Sequence, residues 1–157
     1  MPKITPFLWF DQQAEEAANF YTSVFKNSQI NGVTRYTEAG PGPAGTAMTV
    51  AFTLDGQPFT ALNGGPSYTF NEAVSFVVHC EDQAEVDHLW SQLTAGGKEV
   101  ACGWLKDKYG LAWQIVPKRF LELMMDPDPV RKQRVMKAMF QMKKLDLPVL
   151  EAAYNQS

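Results

Sequence analysis

The sequence predicts an α+β fold in which a strand–helix–strands unit occurs twice and helices follow. Three observations carry that expectation. A short apolar run at 4–10 leads into a helical pattern and then three strand-like runs. The same order restarts near Ala73, with matching residues at a fixed offset. From Lys118 onward the chain carries helix-start signals and apolar residues at helical spacing.

Ile4 to Phe10 is bounded by Pro2, Pro6 and Asp11 and reads as an early strand, with an open side near Pro6 because proline cannot donate to a ladder. "DQQAEEAANFYTSVFKN" reads as a helix with Asp11 as its N-cap and Glu15 in the first turn. Ala14, Ala17, Phe20, Tyr21, Val24 and Phe25 supply its apolar stripe. Ser28–Thr37, Thr46–Leu54 and Pro58–Asn63 read as three strands. The breaker-rich "AGPGPAG" separates the first two, and Asp55-Gly56 marks a hairpin.

In the second unit, Ala73–Cys80 reads as a strand. "EDQAEVDHLWSQLTAGG" reads as a helix with Asp82 and Glu85 set for a capping box and Gly96-Gly97 at its exit. Two or three strands follow up to Val116. Gln13-Ala14-Glu15 recurs as Gln83-Ala84-Glu85, and Phe20 falls opposite Trp90 at the same offset. Asp128-Pro129 and Asp146 with Pro148 then mark two helix starts in the tail. Its stripe Val135, Met136, Met139, Phe140 and Met142 lies opposite a solvated basic face, and suits a dimer contact better than a membrane surface. The expected organisation is one domain, 1–157, with halves 1–70 and 71–117 and C-terminal helices 118–157.

Bulk composition is that of a globular protein. Of 157 residues, 45% are hydrophobic and 20% charged, and the net charge of −3 recruits neither nucleic acid nor anionic membrane. Cys80 and Cys102 are too few for a disulfide framework and read as free, buried thiols of a reducing cytoplasm. The N-terminus lacks the apolar core of a signal peptide, and no window is apolar for the length of a membrane span. The expectation is a soluble, cytoplasmic protein.

"PFLWFDQQAEEAANFYTSVF", "GGP" at 64–66, "GWLKDKYGLAWQIVP" and "RKQRVMKAMFQMKKLDLPVLEAAY" together resemble the PhnB-like branch of the vicinal-oxygen-chelate (glyoxalase/bleomycin-resistance/dihydroxybiphenyl dioxygenase) superfamily. Members of this branch often carry the label demethylubiquinone methyltransferase-like domain. The resemblance covers nearly the whole chain and is most specific at 104–117 and 134–154. It implies two βαβββ modules (a glyoxalase/bleomycin-resistance-like fold) whose sheets curl around a shared cavity, usually in a homodimer.

Metal-dependent members of the superfamily take His, Glu or Gln ligands from the first and last strands of each module. Matching strands puts Thr5 or Pro6, then Ala61 or its neighbours, Ser75 and Gln114 at those positions. Only Gln114 is a credible ligand type, and one amide oxygen does not hold a transition metal. No metal and no cofactor are therefore expected. His79 shares a strand face with Ser75 and reads either as a general base near Ser75, Gln114 and Asn63 or as a cavity-wall histidine. His88 reads as solvent-facing, and Cys80 points away from His79.

Phe7 and Trp9 share a strand face with Thr5, and Trp104 stands at the corner of the last hairpin. The ligand-pocket candidates are Phe7, Trp9, Asn63, Ser75, His79, Trp104 and Gln114, and no catalytic residue is assigned. No P-loop, dinucleotide fingerprint, G-x-S-x-G elbow or C-x-x-C occurs, and methyl transfer finds no glycine-rich cofactor turn. Three readings stand. The first is a metal-independent, homodimeric small-molecule-binding protein. The second is a metal-dependent lyase, isomerase or dioxygenase-like enzyme with an atypical site. The third is a dimeric interaction module acting through the Met-rich tail.

Overall fold

A computed structural model describes residues 2–156. The chain forms two compact units that meet in sequence at Phe70 and Asn71. Each contains a four-stranded mixed sheet with a helix on one face. The architecture is α+β, as two βαβββ modules and a helical C-terminal extension.

In the first unit β1 (Phe7–Phe10), α1 (Ala14–Val24), β2 (Gln29–Arg35), β3 (Ala47–Leu54) and β4 (Gln57–Asn63) form a sheet of order β1-β4-β3-β2, with β1 parallel to β4. Alternation decides the faces. Leu8, Phe10, Val50, Phe52, Leu54, Phe59 and Ala61 are buried with Ala14, Ala17, Ala18, Tyr21 and Val24 of α1. Phe52 stacks on Phe59 with ring centroids 5.4 Å apart. Burying each such ring contributes roughly 1.5–3 kcal/mol. The β3–β4 hairpin turns through left-handed Asp55 (φ 46°) and Gly56 (φ 83°), the geometry a two-residue hairpin loop demands.

One expected cap is replaced. α1 starts with Gln13 at its N-cap and no side-chain bond from Gln13 or Asp11. Instead Asn63, at the end of β4, accepts from the Ala14 amide at 2.8 Å and donates to the Ala47 carbonyl at 3.0 Å. An orphan helix donor is satisfied by a residue 49 positions away, so no local pattern reveals it.

The second unit comprises β5 (Ser75–Cys80), α2 (Gln83–Thr94), β6 (Lys98–Glu99), β7 (Trp104–Lys106), β8 (Ala112–Pro117), α3 (Lys118–Met124), α4 (Pro129–Met139) and α5 (Leu147–Tyr154). Its sheet runs β5-β8-β7-β6 with β5 parallel to β8. Asp82 caps α2 by accepting from Glu85 N, and Asp128 and Asp146 cap α4 and α5, all as their sequence signals indicate.

The two faces of β8 pack differently. Trp113 and Ile115 are buried on the side of Leu105 and the α2 residues Val86, Leu89 and Leu93. Val116, on the opposite face, joins Leu123, Val135, Leu145 and Leu150 of the tail in a second core, with Met139 and Met142 packed against it. A strand covered on both faces reads as a near-continuous apolar run, which accounts for the composition of 111–117. The Met-rich stripe of α4 is therefore largely used within its own unit.

Tight polar contacts fix this docking. Cys102 (φ 60°) and Gly103 (φ 87°) are left-handed and aim successive amides at the carbonyls of Met142 and Lys143, at 2.9 and 2.7 Å. A Cβ on residue 103 would lie 3.0 Å from Leu145 Cγ, so glycine permits the approach as well as the turn. The Gln83 amide donates to the Leu145 carbonyl at 2.9 Å and accepts from Leu147 N at 2.6 Å. Within the tail, Arg134 donates to the carbonyls of Ala153 and Tyr154. The Tyr154 hydroxyl donates to Asp126, holding that carboxyl below its usual range.

Asp107 is only 3% exposed. Its Oδ1 accepts from Tyr109 N (2.9 Å) and Leu111 N (3.1 Å), and its Oδ2 accepts from Trp113 Nε1 (2.9 Å). A buried carboxylate persists because three donors replace its water. Asp107→Ala strands those donors and should cost about 3 kcal/mol of unfolding free energy, with Asp107→Asn costing less. Urea denaturation of both variants checks this, and wild-type stability for the alanine variant would remove Asp107 as the anchor of the β7–β8 turn.

Candidate functional site

The misfit of the β8 run is Gln114, the one polar side chain in an apolar strand. Its neighbours are fixed by register: Trp104 lies directly opposite it on β7, and Val77 lies beside it on β5. Its Nε2 donates to Ser75 Oγ at 3.0 Å, so two of the expected pocket residues touch.

Gln114 belongs to a cleft of about 570 Å³ contained within the second unit. The sheet and its adjoining turn supply the floor, from Val100, Ala101, Cys102, Trp104, Gln114 and Val116. The C-terminal extension supplies the rest: Phe120 and Met124 from α3, Met136, Met139 and Phe140 from α4 and its end, and Leu145. Among the described residues none of the lining side chains is charged. That size and character fall within the range of small-molecule sites, which are mostly apolar with a few orienting polar groups.

The remaining candidates lie elsewhere. His79 is exposed and pairs with Val116, sharing the face of Ser75 without lining the cleft. Phe7, Trp9 and Asn63 belong to the first unit. Phe7 is 60% exposed, while Trp9 donates from Nε1 to the Gly65 carbonyl at 2.9 Å and packs edge-on against Tyr68. Asn63 borders a polar cleft of about 540 Å³ with Asp11, Arg35 and Tyr36. Its side chain is committed to Ala14 and Ala47, and its carbonyl accepts from the Tyr36 hydroxyl. His88 is exposed on α2, as expected.

Sequence reasoning pointed to Gln114 and Trp104 of the cleft and to Ser75 beside Gln114, but missed the α3 and α4 side chains that complete the lining. Their stripe was visible, yet helical spacing does not say which surface a stripe covers.

Register also refines the positions at which the superfamily holds a metal. Phe7 pairs with Thr60 as Val77 pairs with Gln114. The counterpart of Gln114 in the first unit is thus Thr60, while Ala61 is fully buried on the helix side. The matching positions carry Thr5, Thr60, Ser75 and Gln114, three hydroxyls and an amide. Such neutral donors do not fit a resident divalent transition ion, which calls for imidazole, carboxylate or thiolate. Among the described residues, no three His, Cys, Asp or Glu side chains form a group able to hold a metal.

The two thiols differ. Cys80 is fully buried, and burial foremost, with Glu85 next, pushes it up to about 12. Cys102 is half-buried at the floor of the cleft.

A family model described as 3-demethylubiquinone-9 3-methyltransferase matches residues 2–116, so it ends where the C-terminal extension begins. Among solved structures, the PhnB protein from Bacillus cereus is 41% identical, covering 74% of this chain and 99% of its own, with a TM-score of 0.69. A Pseudomonas aeruginosa protein is 20% identical, over 75% of this chain and 98% of its own, with a TM-score of 0.62. The fosfomycin resistance protein FosX from Listeria monocytogenes is 12% identical, over 74% and 93%, with a TM-score of 0.51. The last two share the fold alone. No curated protein matches.

A thiol reagent should modify Cys102 in the native protein and reach Cys80 only on unfolding, since the thiolate is the nucleophile and Cys80 is both buried and protonated. Titration at pH 8 should release one equivalent quickly in the wild type and none in Cys102→Ala. Equal rates for both thiols would show that the cleft floor is closed.

Proposed function

From the premise that this chain belongs to the PhnB-like family described as 3-demethylubiquinone-9 3-methyltransferase, within the vicinal-oxygen-chelate superfamily, we propose that it binds a small molecule without a resident metal ion. The observation that carries this reading is the cleft of about 570 Å³ built around Gln114 and Trp104. A pocket of that volume with one oriented amide is suited to binding, and nothing in its lining resembles a nucleophile–base pair.

The neutral donor set at the superfamily's ligand positions favours a metal-independent role over a lyase, isomerase or dioxygenase. Methyl transfer, the activity in the family description, is not favoured either. Among the described residues the chain carries two four-stranded mixed sheets, with no glycine-rich turn opening a helix. We read the protein as a homodimer. In support, Phe7 at 60% and Val77 at 43% exposure leave apolar side chains on the sheet faces away from α1 and α2. A cytoplasmic setting is supported by two free cysteines, and among the described residues no helix is long and apolar enough to cross a membrane.

Nile red, an uncharged fluorescent dye, tests the site. One dye per chain should bind, and the affinity should be indifferent to EDTA. Ala101 is exposed at the cleft edge, so Ala101→Trp should fill the cleft without disturbing the core. It should weaken binding about tenfold or more, a loss of about 1.4 kcal/mol, with an unchanged melting temperature. Unaltered affinity in that variant, or loss of binding with EDTA, would overturn the proposal.

A further inference from the structure

Resting on that reading of the cleft, we infer its ligand class: an uncharged aromatic molecule bearing one hydrogen-bonding group, which the Gln114 amide recognises as either donor or acceptor. Three features of the cleft carry this. Its lining holds no charged side chain among the described residues, so a carboxylate or phosphonate entering it would lose water without gaining a counter-charge. Aromatic rings stand on both sides, with Trp104 in the floor and Phe120 and Phe140 above. Flat rings favour offset or edge-on contact with a planar guest. Met124, Met136 and Met139 fill the intervals with flexible thioethers that adapt to the guest's outline.

The polar contact is set by a two-residue device. Gln114 is held by Ser75 through one end of its amide at 3.0 Å. A serine hydroxyl both donates and accepts, so it satisfies the NH₂ end or the carbonyl end of the glutamine equally well. Rotating the amide by half a turn keeps the Ser75 bond and exchanges the group offered to the cleft. The site therefore takes a phenolic hydroxyl on the amide oxygen or a ketone on the amide N–H, and its selectivity lies in charge rather than in hydrogen-bond polarity. The extension beyond residue 116 supplies the upper wall, so this ligand class belongs to the chain with its tail rather than to the matched domain alone.

Isothermal titration with four naphthalenes of similar size tests the inference: 2-naphthol as donor, 2-acetylnaphthalene as acceptor, 2-naphthoate as anion and 2-methylnaphthalene as apolar reference. Wild-type protein should bind the first two within about threefold of each other and 2-naphthoate at least about tenfold more weakly, the penalty of a partly desolvated charge that meets no counter-charge. Gln114→Leu should lose about tenfold for 2-naphthol and 2-acetylnaphthalene while keeping 2-methylnaphthalene, as expected when a single buried hydrogen bond is deleted. Ser75→Ala, a smaller change on an accessible strand, should lose the same two ligands in part. Binding of 2-naphthoate as tight as 2-naphthol would overturn the inference and leave small-molecule binding intact. So would a donor-to-acceptor preference above about tenfold, roughly one neutral hydrogen bond. Failure of all four to bind while Nile red still binds would overturn the inference alone, and failure of Nile red as well would overturn both.

Discussion

The second unit depends on the docking of its C-terminal helices against β8. The helices span only 7, 11 and 8 residues, shorter than the roughly 12–15 residues at which an isolated helix becomes even marginally stable. Their order has to come from burial. Val116 supplies the floor of that core, and Leu123, Val135, Leu145 and Leu150 fill it. The left-handed pair Cys102-Gly103 makes the approach possible by presenting two amides to the tail where a β-carbon at 103 would collide with Leu145. Apolar burial provides the driving force, while the amides and Gln83 specify the seat.

The cleft follows from that seating. The tail covers Val116 closely but leaves space above Gln114 and Trp104, two residues back along the strand and across from it. The same face of the strand thus contributes to both a core and a cleft, and Val116 and Leu145 belong to each, forming the wall between them. Ser75 turns the half-buried Gln114 into an oriented group. The arrangement is economical in polar atoms, and among the described residues no buried side-chain nitrogen or oxygen lacks a partner.

Much of the fold was legible because its signals are local. Asp82, Asp128 and Asp146 announce their helices within three residues, and Asp55-Gly56 announces its hairpin. The repeated Gln-Ala-Glu set the phase of the duplication. Long-range facts were not legible. The cap of α1 comes from Asn63 across the module, and only strand register separates Thr60 from Ala61 as the counterpart of Gln114. For the candidate site, the odd residue in an apolar strand was visible, but the tail stripe carried no mark of the surface it would cover.

Gln83 gives the duplication a last consequence. The side chain of its counterpart Gln13 accepts from the neighbouring Gln12 amide at the surface, whereas Gln83 clips Leu145 and Leu147 with both ends of its amide. Two copies of one motif therefore present the same residue with different duties, and the appendage is specific to its host. Grafted behind the first module, the same forty residues would meet no Gly103 and no amide clip. The repeat looks interchangeable as text, but as a scaffold it has only one socket.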